Sequence, residues 1–396
     1  MTKSDDKRVP VLRFKGFTDE WEQRKLGDVL SKFDYGLNSA SSDYDGKNKY
    51  LRITDIDEQT HRFNLDNLTS PKVDLKNKDN YILHPGDIVF ARTGASVGKT
   101  YKYREDDGRV YFAGFLIRGR INKNFDTSFI FDTTLLPKYS NFVKITSIRS
   151  GQPGINSDEY KKYVINIPTI NEQKYISKLI TNLEELITLQ QRKLRQLKLL
   201  KNALLKRMFT AKKSPTLRFR DFSKDWKLHK LQDITDRLDN ARVPVTASKR
   251  IAGSTPYYGA NGIQDYVKGY THDGEFLLVA EDGANNINDY PVICAKGKIW
   301  VNNHAHVLQA KNKKIDILFL MYALKFLNMK KYLVGGSRSK LNAETMMKLA
   351  LKLPELDEEH NIGVLIKNMD VLITQYKYRI QKINKFKQFL LQNMFI

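Results

Sequence analysis

Two stretches of the chain carry apolar residues at helical spacing. The first holds Ile176, Leu179, Ile180, Leu183, Leu186, Ile187, Leu194, Leu197, Leu200, Leu204 and Met208 on one stripe. The second holds Ile362, Leu365, Ile366, Met369, Leu372, Ile373, Tyr376, Ile380, Ile383, Phe386, Leu390 and Met394. Recurrence every three to four residues is the mark of one helix face. No proline or glycine falls between Asn171 and Phe209, and only Gly363 interrupts the second stretch. The pattern predicts two long helices with Asn171 and Asp357 as N-caps, each just after a proline. Each would span on the order of 57 Å.

The remaining sequence reads differently. Runs such as "NKYLRITDID", "GDIVFARTG" and "RVYFAGFLIRGRI", then "GEFLLVAEDG" and "KIWVNNHAHVLQA", alternate with a period near two between Gly, Asn and Asp turns. They predict mixed sheets with a few helices, one of them in "DILFLMYALKFLNMKKYLV". The chain therefore divides into a flexible start (1–11), a globular domain (12–167), a central long helix (168–210), a second globular domain (211–353) and a distal long helix (354–396). The fold class is α+β.

The plan occurs twice. Nine of nineteen residues from Pro10 to Asp28 recur 205 positions later, among them Phe14/Phe219, Phe17/Phe222, Trp21/Trp226 and Leu26/Leu231. Fourteen of the 42 residues from Pro168 to Phe209 recur 186 positions later without a gap. A helix this long cannot bury its stripe on a small domain, but two matching helices can bury theirs on each other as a coiled-coil pair. Leu183, Leu186, Ile187, Leu194, Leu197 and Leu204 are expected to pack against Met369, Leu372, Ile373, Ile380, Ile383 and Leu390. Two independent helices, each pairing with another chain, are the alternative.

Charge narrows the function. Lys and Arg number 67 against 44 acids, a formal net charge of +23. Such an excess favours a polyanionic partner. With 20 Tyr and 20 Phe the chain is no disordered basic tail. No apolar run approaches membrane-spanning length, and "MTKSDDKRVP" has no apolar signal core, so a cytoplasmic protein is expected. Cys294 is the only cysteine, which excludes an internal disulfide and a cysteine-based zinc site.

Motifs for catalysis fail on inspection. "ARTGASVGKT" ends like a phosphate-binding loop, but Thr93 stands where the first glycine is required. "YKY" follows it as a strand would, whereas a nucleotide site needs a helix there. In the second half "GEFLLVAEDGANNINDYPV" takes the same strand-loop-strand place, with Ala280 and Gly283 answering Ala91 and Gly94 and no Gly-Lys. His304 and His306 fall on one strand face in "VNNHAHVL", without an acidic or cysteine partner at suggestive spacing, and read as structural. "VICAKGK" has Ala295 where a nuclease would carry a metal-binding carboxylate.

Recognition remains. Side chains able to meet base edges and phosphates are Lys47, Asn48, Lys49, Arg52, Arg92, Thr93, Ser96, Lys99, Arg149 and Gln152 in the first globular segment. In the second they are Tyr257, Tyr258, Asn261, Gln264, Asn285, Asn286, Asn302, Asn303, Arg338 and Lys340.

The order of "LRFKGFTDEWEQRKLGDV", a globular segment and "IPTINEQKYISKLITNLEELITLQQRKLRQLKLLKNALLKRMF", then the whole plan again, resembles the specificity subunit of a type I restriction-modification system. "YYGANGIQDYV" and "VNNHAHVL" are similar to recurrent patterns of that family's target recognition domains. The resemblance covers about Pro10 to Phe395. It implies two pseudo-repeated mixed α/β target recognition domains separated by two long antiparallel helices, with no catalytic residue. Each domain would read half of a split, asymmetric sequence in double-stranded DNA. The helices would act as a spacer and dock two methyltransferase subunits, with restriction-translocase subunits completing the assembly. S-adenosylmethionine, ATP and magnesium would bind those partners. A helical scaffold without sequence-specific DNA binding, or an enzyme with an unfamiliar site, are the competing expectations.

Overall fold

The computed structural model describes residues 8–209, 214–311, 315–336 and 339–396. Its contacts define two compact units: one runs to Gln190 and takes back Arg379–Ile396, and the other is Gln191–Tyr378. The division cuts through both long helices, so each unit owns half of each.

In the first unit, β1 (Glu22–Lys25) pairs antiparallel with β10 (Val164–Ile167). A four-stranded sheet has the order β2-β9-β6-β7, from Leu30–Tyr35, Leu116–Ile121, Asp87–Ala91 and Thr100–Lys102. Two small ladders flank it: β3 (Ser41–Asp43) with β5 (Thr69–Pro71), and β4 (Lys49–Leu51) with β8 (Val110–Phe112). The helices are α1 (Thr127–Thr133), α2 (Pro137–Thr146), α3 (Ser157–Lys161) and the start of α4 (Ile170–Met208).

In the second unit, β11 (Lys227–Lys230) pairs with β18 (Ala350–Leu353), as β1 does with β10. The main sheet has six strands in the order β12-β17-β15-β16-β13-β14. These are Thr235–Arg237, Ala305–Ala310, His272–Ala280, Val292–Val301, Ala252–Gly259 and Gly262–Val267. Three short helices, α5 (Leu231–Ile234), α6 (Ile317–Phe326) and α7 (Ala343–Met347), precede α8 (Leu356–Asn393). Residues 316–334, expected as one helix, end α6 at Phe326 and continue as a separate turn at Met329–Tyr332.

Both long helices start two residues earlier than their sequence suggests. The Gln173 amide donates to the Thr169 carbonyl and the Glu359 amide to the Glu355 carbonyl, so Thr169 and Glu355 are the caps. Asn171 and Asp357 lie inside the first turn.

The helices run antiparallel, which each unit establishes by itself. In the first, Ile176 and Ile180 share a core with Leu390, Leu391, Met394 and Phe395. In the second, Leu204, Leu205, Met208 and Phe209 share one with Ile362, Leu365 and Ile366. The opening turns of either helix thus meet the closing turns of the other. Of the residues expected on the packed stripe, Ile187, Met369, Ile373 and Leu390 are buried, and Leu183, Leu194, Leu197, Leu204, Ile380 and Ile383 are half-buried. Leu186 and Leu372 depart from that expectation, being 38% and 40% exposed. They occupy matched positions, so the same helical angle turns outward in both copies.

The duplicated sequence builds a duplicated frame. Arg13 chelates Glu172 with bonds of 2.7 and 2.8 Å and donates to the Asp19 carbonyl. Arg218 chelates Glu358 at the same two distances and donates to the Lys224 carbonyl. Both glutamates are fully buried, so the guanidinium supplies the compensation that a buried charge requires. Trp21 packs edge-on to Phe129 and Trp226 edge-on to Phe319. Phe395 stacks on Phe129 and Phe209 on Phe319, each at 5.1 Å. Asp126 caps α1 through the Phe129 amide and Asp316 caps α6 through the Phe319 amide, both at 2.8 Å.

Candidate nucleic-acid interface

Each globular part exposes loops where one main-sheet strand gives way to the next. β6 and β7 form an antiparallel pair around the loop 92–99, so "ARTGASVGKT" is the strand-loop-strand read from sequence. A short 3-10 turn, Gly94–Ser96, fills it, and Gly98 at φ 84 lies against Val143, where a Cβ would collide. In the second unit β15 and β16 bracket the corresponding loop.

The two loops are held by one backbone scheme. The Arg92 amide donates to Phe115 O at 3.0 Å, and Ile155 N donates to Arg92 O at 2.9 Å. The Glu281 amide donates to His304 O at 2.9 Å, and Leu341 N donates to Glu281 O at 2.7 Å. Thr93 bridges Gly154 as Asp282 bridges Lys340. A buried tyrosine pins the strand end before each loop: Tyr160 to Ala91 O and Tyr290 to Ala280 O, both at 2.7 Å. The three segments that meet at each junction are therefore fixed by main chain, which leaves their side chains free to differ.

They do differ. In the first unit a hollow of 650 Å³ is lined by Tyr35, Asn38, Ser39, Arg52, Thr54, Arg92 and Phe115, among others. The Arg92 guanidinium lies 4.8 Å over the Tyr35 ring, and the Tyr35 hydroxyl donates to Ser157 Oγ. Arg52 is held by Asp55 through 2.8 Å bonds. Thr93 and Gln152 are not in its lining; the 92–94 backbone is laced to 153–155, and the Gln152 amide lies against Gly94. In the second unit the hollow is 330 Å³ and lined by Ala260, Asn261, Gln264, Asp282, Gly283, His304 and Lys340. Asn261 ties it together, donating to Gly283 O and accepting from the Asn285 amide. His304 Nδ1 meets Asp282 at 2.5 Å and Lys340 meets Glu281 at 2.8 Å.

Other candidates fall elsewhere. Lys47 and Asn48 donate backbone amides to Asp45, whose carboxyl those bonds hold near 2. The Lys49 ammonium is bound to Asp107 O and Arg149 is chelated by Glu159. Ser96 and Lys99 close the 94–99 turn through their own backbone. Asn286 accepts from the Asn288 and Asp289 amides, and the Asn303 carbonyl accepts from Arg242. Tyr257, Tyr258 and Asn302 are buried, contrary to their place among the surface readers. β13 is an interior strand between β14 and β16, and the Tyr257 hydroxyl is spent on Val245. Asn302 turns the chain by accepting from the His304 amide. Arg338 lies outside the described residues.

Sequence reading missed Tyr35, Asn38 and Phe115. The usable signal was the offset of 189 between Ala91 and Ala280; carried on, it sets Phe115 opposite His304.

The two histidines are not one metal-facing pair. His304 precedes β17 in the turn, and only His306 is in the strand. Buried His306 spends Nδ1 on Asp239 at 2.7 Å and Nε2 on Leu341 O at 2.9 Å. Glu281, beside them, is held by Arg242 and Lys340. Burial works against the charge on Asp239 and Glu281, but these partners outweigh it and hold both carboxyls below their ordinary range. The cluster of Asp239, Glu281 and His306 is an internally satisfied ion network that locks the loop to the sheet, with its ligand atoms already spent.

A mixed sheet-and-helix domain built twice on one antiparallel helix pair, with dissimilar polar hollows at matched junctions, defines a duplicated recognition protein. Residues 18–199 and 223–385 match the family model of the type I restriction modification DNA specificity domain, and the chain belongs to that family. Specificity subunits are the non-catalytic recognition components of such systems. A specificity-subunit relative from Haemophilus influenzae is 41% identical over 151 residues, a match spanning 38% of each protein. The MjaVIII specificity subunit of Methanocaldococcus jannaschii is 21% identical over 412 residues, covering 93% of this chain and 91% of that one. The crystal structure of a type I restriction-modification S subunit from M. genitalium shares the fold with a TM-score of 0.70 at 15% identity, over 98% of this chain and 99% of that one. Among the described residues no helix is long and apolar enough to cross a membrane.

Proposed function

We propose that the chain reads a bipartite, asymmetric sequence in double-stranded DNA, one half with each hollow, and brings methyltransferase and restriction-translocase subunits to it. The observation that carries this reading is the pair of matched junctions with unlike side chains on a repeated frame. A shared frame gives two readers, and unlike loops give two different half-sites. Two linked readers add their modest individual discriminations. The large positive charge supplies affinity for phosphate that is independent of sequence.

The partner surface is the outer side of the long helices. Leu186 and Phe386 are exposed on the first unit, Leu200 and Leu372 on the second. Leu186 matches Leu372 and Leu200 matches Phe386 across the repeat, which suits two copies of one methyltransferase subunit. S-adenosylmethionine, ATP and magnesium belong to the partners in this reading.

Co-expression with the cognate methyltransferase, followed by mapping of modified adenines, tests it. A split motif is expected, and exchanging residues 217–350 for a homologous segment should change one half alone. A change in both halves contradicts the modular reading. Binding of the assembled complex to its site should also weaken steeply with salt.

A further inference from the structure

We infer that base discrimination in the first half-site centres on Arg92, held on Tyr35 beside Phe115, and that Arg92 reads a guanine. The inference rests on the DNA-recognition reading above and assigns the residues that do the reading. Three observations carry it.

Arg92 is prepared for a planar ligand. Its guanidinium is stacked on the Tyr35 ring, which is itself fixed through Ser157. Among the described residues it has no carboxylate partner, unlike Arg52 with Asp55, Arg149 with Glu159 and Arg242 with Glu281. An arginine already ordered on a ring gives up little rotamer freedom on binding, and its fork matches the O6 and N7 acceptors of guanine in the major groove.

Phe115 is the second observation. It is 61% exposed at the tip of the turn that joins β8 to β9, with Leu116 N bonded to Ala113 O. Its own carbonyl accepts from the Arg92 amide, so ring and guanidinium are fixed to one peptide junction. Neither packing nor the fold requires an exposed phenyl ring there, whereas an apolar contact to a thymine methyl beside a guanine does.

The third observation is the second unit. The same main-chain junction there carries Glu281, Asp282, His304 and Lys340 in place of Arg92, Thr93, Phe115 and Gly154. A conserved junction that changes from cation-plus-phenyl to acid-plus-imidazole is what two readers of different sequence require. The role of reader thus attaches to the junction, and Arg92 and Phe115 are its occupants in the first unit.

The test uses the full chain co-expressed with its cognate methyltransferase and reads the modified adenines across a genome. Arg92→Ala is expected to relax one G·C position in the half-site assigned to the first unit, with guanine preference there falling roughly 5- to 150-fold. The other half should be unchanged. Arg92→Gln, which keeps a long polar side chain, should relax the same position and stands in if the alanine variant misfolds. Phe115→Ala should relax an adjacent position. An unchanged motif with uniformly lower occupancy would make Arg92 a phosphate contact and overturn the inference, as would no change at all or changes in both halves. If the parent complex itself yields no split motif, the DNA-recognition reading fails instead.

Discussion

The two units share a frame and differ in surface, and the boundary between these is sharp. Frame contacts recur almost atom for atom: Arg13–Glu172 answers Arg218–Glu358, and Trp21–Phe129–Phe395 answers Trp226–Phe319–Phe209. Between these fixed points the first unit builds a four-stranded sheet with small flanking ladders and the second a six-stranded sheet. Frame positions answer to burial, where an unpaired charge or a lost ring is costly. The junctions are aligned by main-chain bonds that both units share, and their side chains differ, with Glu281 alone of the matched pair Arg92/Glu281 drawn into an ion network. A protein that must keep its assembly while changing its target needs this separation.

The largest expected effect comes from breaking the frame. Arg13→Ala leaves Glu172 buried and unpaired, and Arg218→Ala does the same to Glu358. Removing one partner of a buried pair costs about 3–5 kcal/mol. Hydrogen exchange should show the loss in α1 for the first variant and in α6 for the second. Equal loss in both helices from a single substitution would mean that the two frames are not independent.

One frame position differs, and it gives the comparison a pH dependence. Gln173 Oε1 accepts from the Asp126 amide, and Glu359 Oε2 accepts from the Asp316 amide. Burial, with Asp316 nearby, lifts the Glu359 carboxyl to about 8. The folded chain therefore holds a proton that the unfolded chain releases near the ordinary 4.5. Stability falls as pH rises from the ordinary value to about 8, and above that the full penalty applies. Each unit of elevation corresponds to about 1.4 kcal/mol. Glu359→Gln should stabilise the second unit at pH 9 and change little at pH 4.5. Gln173→Glu should give the first unit the weakness it lacks. Urea unfolding at the two pH values checks both, and a Glu359→Gln gain of equal size at both would remove ionisation as the cause.

What the sequence made legible divides along the same boundary. The long helices, their pairing and the repeat were readable because helical period and fixed offsets are local or gap-free. The helix starts read two residues late, because capping preference points to Asn171 and Asp357 while the first carbonyls used are those of Thr169 and Glu355. The site was legible in part. Arg92 stands in a visible loop, but Phe115 and Tyr35 reach it through contacts that link residues 23 and 57 positions apart. Tyr257, Tyr258 and Asn302 look like readers by type, yet strand order buries them, and strand order is not written in periodicity.

The smallest expected effect lies on the helices, where even matched pairs differ in setting. Lys387 meets Glu184 at 2.7 Å in the first unit, and Lys201 meets Asp370 at 2.5 Å in the second. Positions 184 and 370 match, as do 201 and 387, so each helix lends its lysine to the other's acid. Glu184 is 9% exposed and is also bound by Arg104, whereas Asp370 is 40% exposed and also accepts from Tyr322. An exposed pair contributes about 0–1 kcal/mol, and a sheltered acid loses more when its cation goes. Lys201→Ala should therefore cost less than about 1 kcal/mol. Lys387→Ala should cost more than Lys201→Ala, because Arg104 alone is left to hold Glu184. Double-mutant cycles with Glu184→Gln and Asp370→Asn give the two coupling energies directly. Equal couplings would show that the sequence repeat outweighs burial in setting the strength of these pairs.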